Sequence, residues 1–360
     1  MHRQDLFNEL SFLTAIDAPS GFEEPVLRFV RDGIKQYVDS VEIDVRGNLF
    51  ARKLGTSENA PCIMIVAHAD EVGFMVTHVT PAGFLRFTKL GGPTDMVLPG
   101  RHVRVLADSG PLEGIIGVKP GHILSGDDAR RLPPVEEMYI DIGASSESEA
   151  ALWGVEVGTP AVFVGELIPI RDTSLVFGKA VDDRAGVLAM IKTAEKLHGQ
   201  KLPADIVWCL SVEEETGLRG AAAAALDILP DVIIALDTCP AGGTPELADD
   251  SLPWRIGKGP LIKVRETRGL STHRPLRELF RSTAEEHGIP YQLVVDTAGI
   301  TDATSAQQAS GKIAALSLGL ARRYSHSAVE LLDIEDAAGL IDLLTAALPL
   351  IEDRRQLMRI

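Results

Sequence analysis

The chain has 360 residues, 45% apolar and 24% charged, enough for about two domains of ordinary globular balance. Its 51 Asp and Glu against 35 Lys and Arg give a formal charge of −16 without any Lys/Arg-rich run, which disfavours a nucleic-acid partner. The start lacks the pattern of a signal peptide, no run of about 18 apolar residues suggests a membrane span, and three cysteines without a CxxC pair make no disulfide framework, so a cytoplasmic enzyme-sized protein is expected.

The first 60 residues read as two helices followed by strands. "GFEEPVLRFVRDGIKQYV" repeats apolar residues at helical spacing, and "VEIDVRGNLFARK" alternates like a strand pair around Gly47-Asn48. "PCIMIVAHAD" is a short apolar run ending in His and Asp, as a buried parallel strand would. From about Val72 to Asp172 the texture changes to short strand-like runs punctuated by Gly and Pro, among them "VGFMVTHV", "GFLRFTKL", "HVRVLAD" and "PAVFVGEL". That spacing predicts a small β-rich, barrel-like domain, with "GHILSGDDARRLPPVEE" as a mobile loop within it.

After Thr173 strands and helices alternate. Helix "RAGVLAMIKTAEKL" precedes strand "ADIVWCLSV", and helix "GLRGAAAAALDI" leads to strand "DVIIALD". "STHRPLRELFRSTAEEHG" and the last 25 residues read as helical, with strands "YQLVV" and "KIAALSLG" between them. The fold expected is α/β, a mixed and mainly parallel sheet with helices on both faces. Residues 1–70 and 173–360 would form that discontinuous domain, and residues 71–172 the β-rich insertion.

Open α/β sheets bind ligands beyond the carboxyl ends of their strands, so polar residues just past strand-like runs are the first candidates. Those ends carry His68 and Asp70, Asp182 and Asp183, Glu213 to Glu215, Asp237, and His326. Taken singly, each has a structural explanation: a satisfied histidine, an N-cap aspartate before "RAGVL", or an exposed acidic turn at "EEE". Taken together they would be coincidences at one edge of one sheet, and a metal site explains them jointly. Imidazoles and carboxylates without thiolates suit zinc first, with cobalt or manganese as alternatives. The number of donors exceeds what one tetrahedral ion needs, which points to two divalent ions about 3.5–4 Å apart sharing a carboxylate. Asp70, two residues after His68, is expected to orient that imidazole. One acid beside the ions should stay unligated to move a proton.

The stretches "HADEVGFMV", "GKAVDDRAG", "EEETGLRGA", "ALDTCPAGGTP", "GITDA" and "RYSHSAVE" occur in this order with wide gaps. Together they resemble the TET or glutamyl-aminopeptidase family of dinuclear metallo-aminopeptidases, some of whose members have been labelled deblocking aminopeptidases or endoglucanases. The resemblance runs over nearly the whole chain, from "PSGFEE" to the carboxyl-terminal motif. It implies a zinc-peptidase type fold and an exopeptidase that releases N-terminal residues from short peptides. It also implies Asp182 as the bridging carboxylate, His68 and Asp237 on one ion, Glu215 and His326 on the other, Glu214 as general base and Asp70 as orienter of His68. A cis Asp182-Asp183 peptide, a dimerisation role for the inserted domain and a tetrahedral twelve-subunit homo-oligomer are implied as well.

Departures from the family pattern occur at Glu213, where Gln or a similar residue is usual, at Ile300 in "GITDA", and at Gly243, where an acid is often found. They bear on specificity, which the motifs leave open. Two rival classes are a metal-independent glycoside hydrolase, which a chelator would leave active, and a non-catalytic assembly protein, which a complete set of ligands and a base argues against.

Overall fold

The computed structural model describes residues 2–57, 60–126, 131–267, 269–297 and 299–358. Helices α1 (Arg3–Ala15) and α2 (Glu24–Ile34) lead into strands β1 (Ser40–Ile43), β2 (Leu49–Lys53) and β3 (Cys62–His68). The chain then forms β4 (Gly73–Val79), β5 (Leu85–Leu90), β6 (His102–Ala107), β7 (Gly110–Ile116), β8 (Ile140–Asp141), helix α3 (Glu147–Leu152) and β9 (Pro160–Phe163). These six strands close into a barrel in the order β4-β5-β8-β7-β6-β9. Their side chains alternate as a closed sheet requires: Val103, Val105 and Ala107 of β6 are buried, while His102 at the start of the strand is exposed. Phe74 fills the interior edge-on to both Phe87 and Phe163. The stretch read as a mobile loop carries short 3-10 turns at Gly121–Ile123 and Val135–Glu137, and its residues 127–130 lie outside the described residues.

Beyond the barrel come β10 (Ile168–Pro169), β11 (Leu175–Gly178), α4 (Val181–Lys196), β12 (Asp205–Ser211), α5 (Arg219–Ile228) and β13 (Val232–Pro240). The chain ends with β14 (Leu261–Arg265), α6 (Arg274–Glu286), β15 (Gln292–Val295), α7 (Asp302–Ala306), β16 (Ala314–Arg323), β17 (Glu330–Asp333) and α8 (Ile334–Ala347). With β1 to β3 they make one sheet in the order β1-β2-β12-β3-β13-β16-β17-β11-β10, to which β14 adds through β16 and β15 through β14. The centre, β12-β3-β13-β16, is parallel and the rest of that order is antiparallel, while β14 joins β16 antiparallel and β15 joins β14 in parallel. The central strands are near-continuous apolar runs because both faces are covered. Ile63 and Ile65 of β3 pack in the same core as α1, α4 and α8, whereas Met64 and Val66 face α5 and α7.

Among the described residues, sequence periodicity missed the strands β10, β14 and β17 and the short helices α3 and α7. "LIKVR" alternates apolar with cationic residues and resembles a solvent-facing strand, yet Lys263 within it is buried. Among the described residues no helix is long and apolar enough to cross a membrane.

Candidate metal centre

The site lies where the two middle strands part. β13 pairs with β3 only as far as Ala235↔Val66, while it stays with β16 out to Pro240↔Arg322. Beyond that point the strand ends diverge and open a crevice, the place where parallel sheets bind ligands. His68 is the last residue of β3, and the loop after β12 carries Glu214 and Glu215. Asp182 lies just past β11, and His326 three residues past β16. Asp237 differs from the sequence expectation of a strand end, because β13 runs on to Pro240 and holds it in mid-strand.

All the candidate ligands converge. Donor atoms of His68, Asp182 and Asp237 lie within 4.8 Å of one another, and so do those of Asp182, Glu215 and His326; His68, Glu214 and Glu215 form a third such group. Asp182 belongs to the first two: its Oδ1 is 3.5 Å from His68 Nε2 and its Oδ2 is 3.4 Å from His326 Nε2. Both imidazoles are turned the same way. His68 Nδ1–H donates to the Asp70 carbonyl at 3.0 Å, and His326 Nδ1–H to the Gly92 carbonyl at 3.0 Å. A carbonyl can only accept, so Nδ1 carries a hydrogen in both rings and Nε2, a lone-pair donor in the neutral form, is the atom turned to the crevice.

The two adjacent aspartates divide their work. The peptide between them is cis, and both depart from helical backbone angles. Asp183 Oδ1 accepts from Gly186 N–H at 3.0 Å and so caps the remainder of α4, while Asp182 turns into the crevice. The three glutamates divide as well. Glu213 points away and pairs with Arg46 at 3.0 Å, its backbone in the left-handed region at φ 54°. Asp70 has a task that spacing did not reveal. Its carboxylate accepts from Ser20 Oγ–H at 2.6 Å and from the backbone N–H groups of Glu214 at 3.0 Å and Glu215 at 3.1 Å. Asp70 Oδ1 stands 3.5 Å from His68 Nδ1, so its main-chain carbonyl is the closer partner of the ring.

Burial pushes the Glu214, Glu215 and Asp237 carboxyls upward, Glu215 to about 7, and neighbouring acids push the same way. Burial works against charge on the imidazoles too, yet surrounding carboxylates outweigh it and hold His68 well above its ordinary value and His326 at about 9. Asp182 moves the other way: burial opposes its charge, but Arg322 and the two imidazoles hold it well below the usual range. A cluster in which buried acids and imidazoles must hold protons is short of positive charge. Glu215 Oε1 is buried and has no hydrogen-bond partner. Divalent cations would supply both missing elements, and the oxygen and imidazole donors suit zinc, cobalt or manganese. No thiolate competes, since Cys209 and Cys239 are buried and burial raises both thiols.

Sequence reasoning overlooked the groups that hold the ligands in place. Thr238 Oγ1–H donates to Asp182 Oδ1 at 2.8 Å, and Arg322 Nη1 lies 2.6 Å from Asp182 Oδ2. Glu330 accepts from Asp182 N–H at 3.0 Å and from His326 N–H at 2.7 Å, so one carboxylate fixes two ligand backbones. Arg322 closes an otherwise apolar strand and Glu330 stands four residues after His326; only proximity to a motif could have singled them out. The crevice is a cavity of about 390 Å³, walled on its far side by Leu218, Pro240, Lys263, Asp296 and Ile300.

Residues 47–343 match the family described as M42 glutamyl aminopeptidase. The lysyl aminopeptidase of Pyrococcus furiosus is 34% identical over 92% of this chain and 94% of its own length. An aminopeptidase from the archaeon Desulfurococcus kamchatkensis superposes with a TM-score of 0.93 at 35% identity, covering 99% of this chain and 97% of that one. The TET1 peptidase of Pyrococcus horikoshii, which can assemble into a tetrahedron or a large octahedral shell, superposes at 0.85 with 33% identity over 95% and 99% of the two chains.

Proposed function

Since the chain belongs to the M42 glutamyl aminopeptidase family, we propose that it is a dinuclear metallo-aminopeptidase that removes N-terminal residues from short peptides, with Glu214 as its general base. His68 and Asp237 would hold one cation, Glu215 and His326 the other, and Asp182 both. The observation that carries this reading is the placement of Asp182, whose two oxygens face two different imidazoles, each with Nε2 turned inward.

When bound, such cations supply Lewis acidity to the scissile carbonyl and acidity to a water. The chain supplies the rest. Glu214 is buried beside the candidate ligands, and burial raises its affinity for a proton, as a group that must take one from the attacking water needs. It would return that proton to the departing amine. Asp70 fixes the backbone N–H groups of Glu214 and Glu215 and so aims the Glu214 carboxylate. A cavity of about 390 Å³ suits the end of a peptide and not a folded chain. The N-terminal side chain preferred is a matter for a panel of aminoacyl substrates, since the family is described as glutamyl and the Pyrococcus furiosus relative is named lysyl.

We assign the barrel a dimerisation role and expect the dimers to build a tetrahedral shell of twelve subunits. The tetrahedron of the Pyrococcus horikoshii peptidase supports this, as do the exposed apolar side chains Met96, Val118 and Ile123 of the inserted segment. For the chemistry, Glu214→Gln is the sharpest test. It is expected to take up cations like the parent while turnover of an aminoacyl chromogenic substrate falls by about 10²–10⁴-fold. Activity near that of the parent would remove Glu214 as the base.

A further inference from the structure

The two sets of candidate ligands are braced from different parts of the molecule. His68 and Asp237 are held by the sheet: His68 Nδ1 by the Asp70 carbonyl just past its own strand, and Asp237 Oδ1 by the N–H of Thr238 at 2.6 Å. Glu215 and His326, whose backbone N–H groups are held by Asp70 and Glu330, are in addition touched by the barrel, through the turn that leaves β5. Gly91 sits in the left-handed region at φ 74°, and a Cβ there would stand 3.1 Å from Glu215 Cβ and 3.2 Å from Glu215 Oε2. A Cβ at Gly92 would stand 3.1 Å from His326 Nδ1. The Gly92 carbonyl accepts from Nδ1–H of that ring at 3.0 Å, which fixes its orientation.

The turn has its own brace. Lys89, the fifth residue of β5, reaches forward so that Nζ donates to the Pro93 carbonyl at 3.0 Å and to Asp95 Oδ1 at 2.7 Å. One ammonium thereby closes the loop that carries Gly91 and Gly92. Its side chain is 30% exposed, so the strand does not depend on it for core packing.

We propose that the barrel segment Lys89–Asp95 sets the affinity of the cation position formed by Asp182, Glu215 and His326, and leaves the position formed by His68, Asp182 and Asp237 unaffected, with Lys89 as its positioning residue. The proposal rests on the two-cation reading above. Its physical basis is that an imidazole held by one carbonyl loses both orientation and basicity when that carbonyl moves. Deformation of the barrel would therefore be felt at one cation position first.

Calorimetric titration of the cation-stripped full chain with Zn²⁺ tests this, with Co²⁺ absorption as a second readout of coordination. The parent should take up two ions per chain. Lys89→Met should weaken one uptake by about ten- to a hundredfold and leave the other unchanged. Lys89→Arg, which keeps a cation in reach of Pro93 and Asp95, should recover most of that loss. Gly92→Ala, which presses on the ring directly, should weaken the same uptake. Two uptakes in the parent with neither changed in Lys89→Met and Gly92→Ala would overturn the proposal alone, as would equal weakening of both. Fewer than two in the parent would overturn the two-cation reading and the proposal with it.

Discussion

Two buried charged clusters face the same cavity and are built on opposite terms. In one, Lys263 Nζ lies 3.0 Å from Asp296 Oδ2 and 3.4 Å from Glu266 Oε1. Glu266 also accepts from Thr301 N–H at 3.1 Å, Thr301 Oγ1–H at 2.8 Å and Thr304 Oγ1–H at 2.7 Å. That cluster holds a cation of its own between two acids, and hydroxyl and backbone donors serve the rest of Glu266. In the other, the acids crowd one another, both imidazoles turn Nε2 toward the same space, and Glu215 Oε1 has no hydrogen-bond partner. The first is fully buried, and the second is largely buried apart from His326, whose side chain is 28% exposed. What marks the candidate metal centre is its shortage of positive charge, which is why the sum of a buried group's partners says more than its depth.

That contrast can be broken by substitution. The largest effect is the loss of turnover expected of Glu214→Gln, which should leave folding and cation uptake intact. Next is Lys263→Met, which strips the self-sufficient cluster of its lysine and leaves Glu266 and Asp296 facing each other. A loss of about 3–5 kcal/mol in urea unfolding is expected, with no recovery on adding Zn²⁺. Recovery by the cation would mean that this cluster, too, is completed from outside. The smallest effect is expected at Arg46→Ala, which removes the half-exposed partner of Glu213 and should cost about 0–1 kcal/mol with turnover unchanged. A large loss of activity there would give Glu213 a role that its outward direction does not support.

Much of the candidate site was legible because an apolar run that ends a strand makes the polar residues after it conspicuous. "IMIVAHAD" and "IVWCLSVEEE" lead straight to His68 and to Glu214 and Glu215. Periodicity could not separate three adjacent glutamates; the left-handed turn at Glu213 and the grip of Asp70 on the next two N–H groups do that. Nor could it place Asp237, whose strand runs on because β16 continues to pair with it. Lys263 was hidden by its charge, since an alternating strand with a lysine reads as solvent-facing. Gly92 was hidden for a deeper reason: it acts through a backbone carbonyl, and a carbonyl leaves no mark on residue type. The barrel was legible as a region of short strands, whereas its reach into the crevice is a tertiary fact.

The central claim is that Asp182 serves two cation positions at once. It is tested most directly by comparing Zn²⁺ uptake in Asp182→Asn and Asp237→Asn with the parent in one calorimetric series. The expected result is two ions in the parent, both weakened in Asp182→Asn, and only one weakened in Asp237→Asn. Loss of a single uptake in Asp182→Asn, with the other at parental affinity, would contradict it.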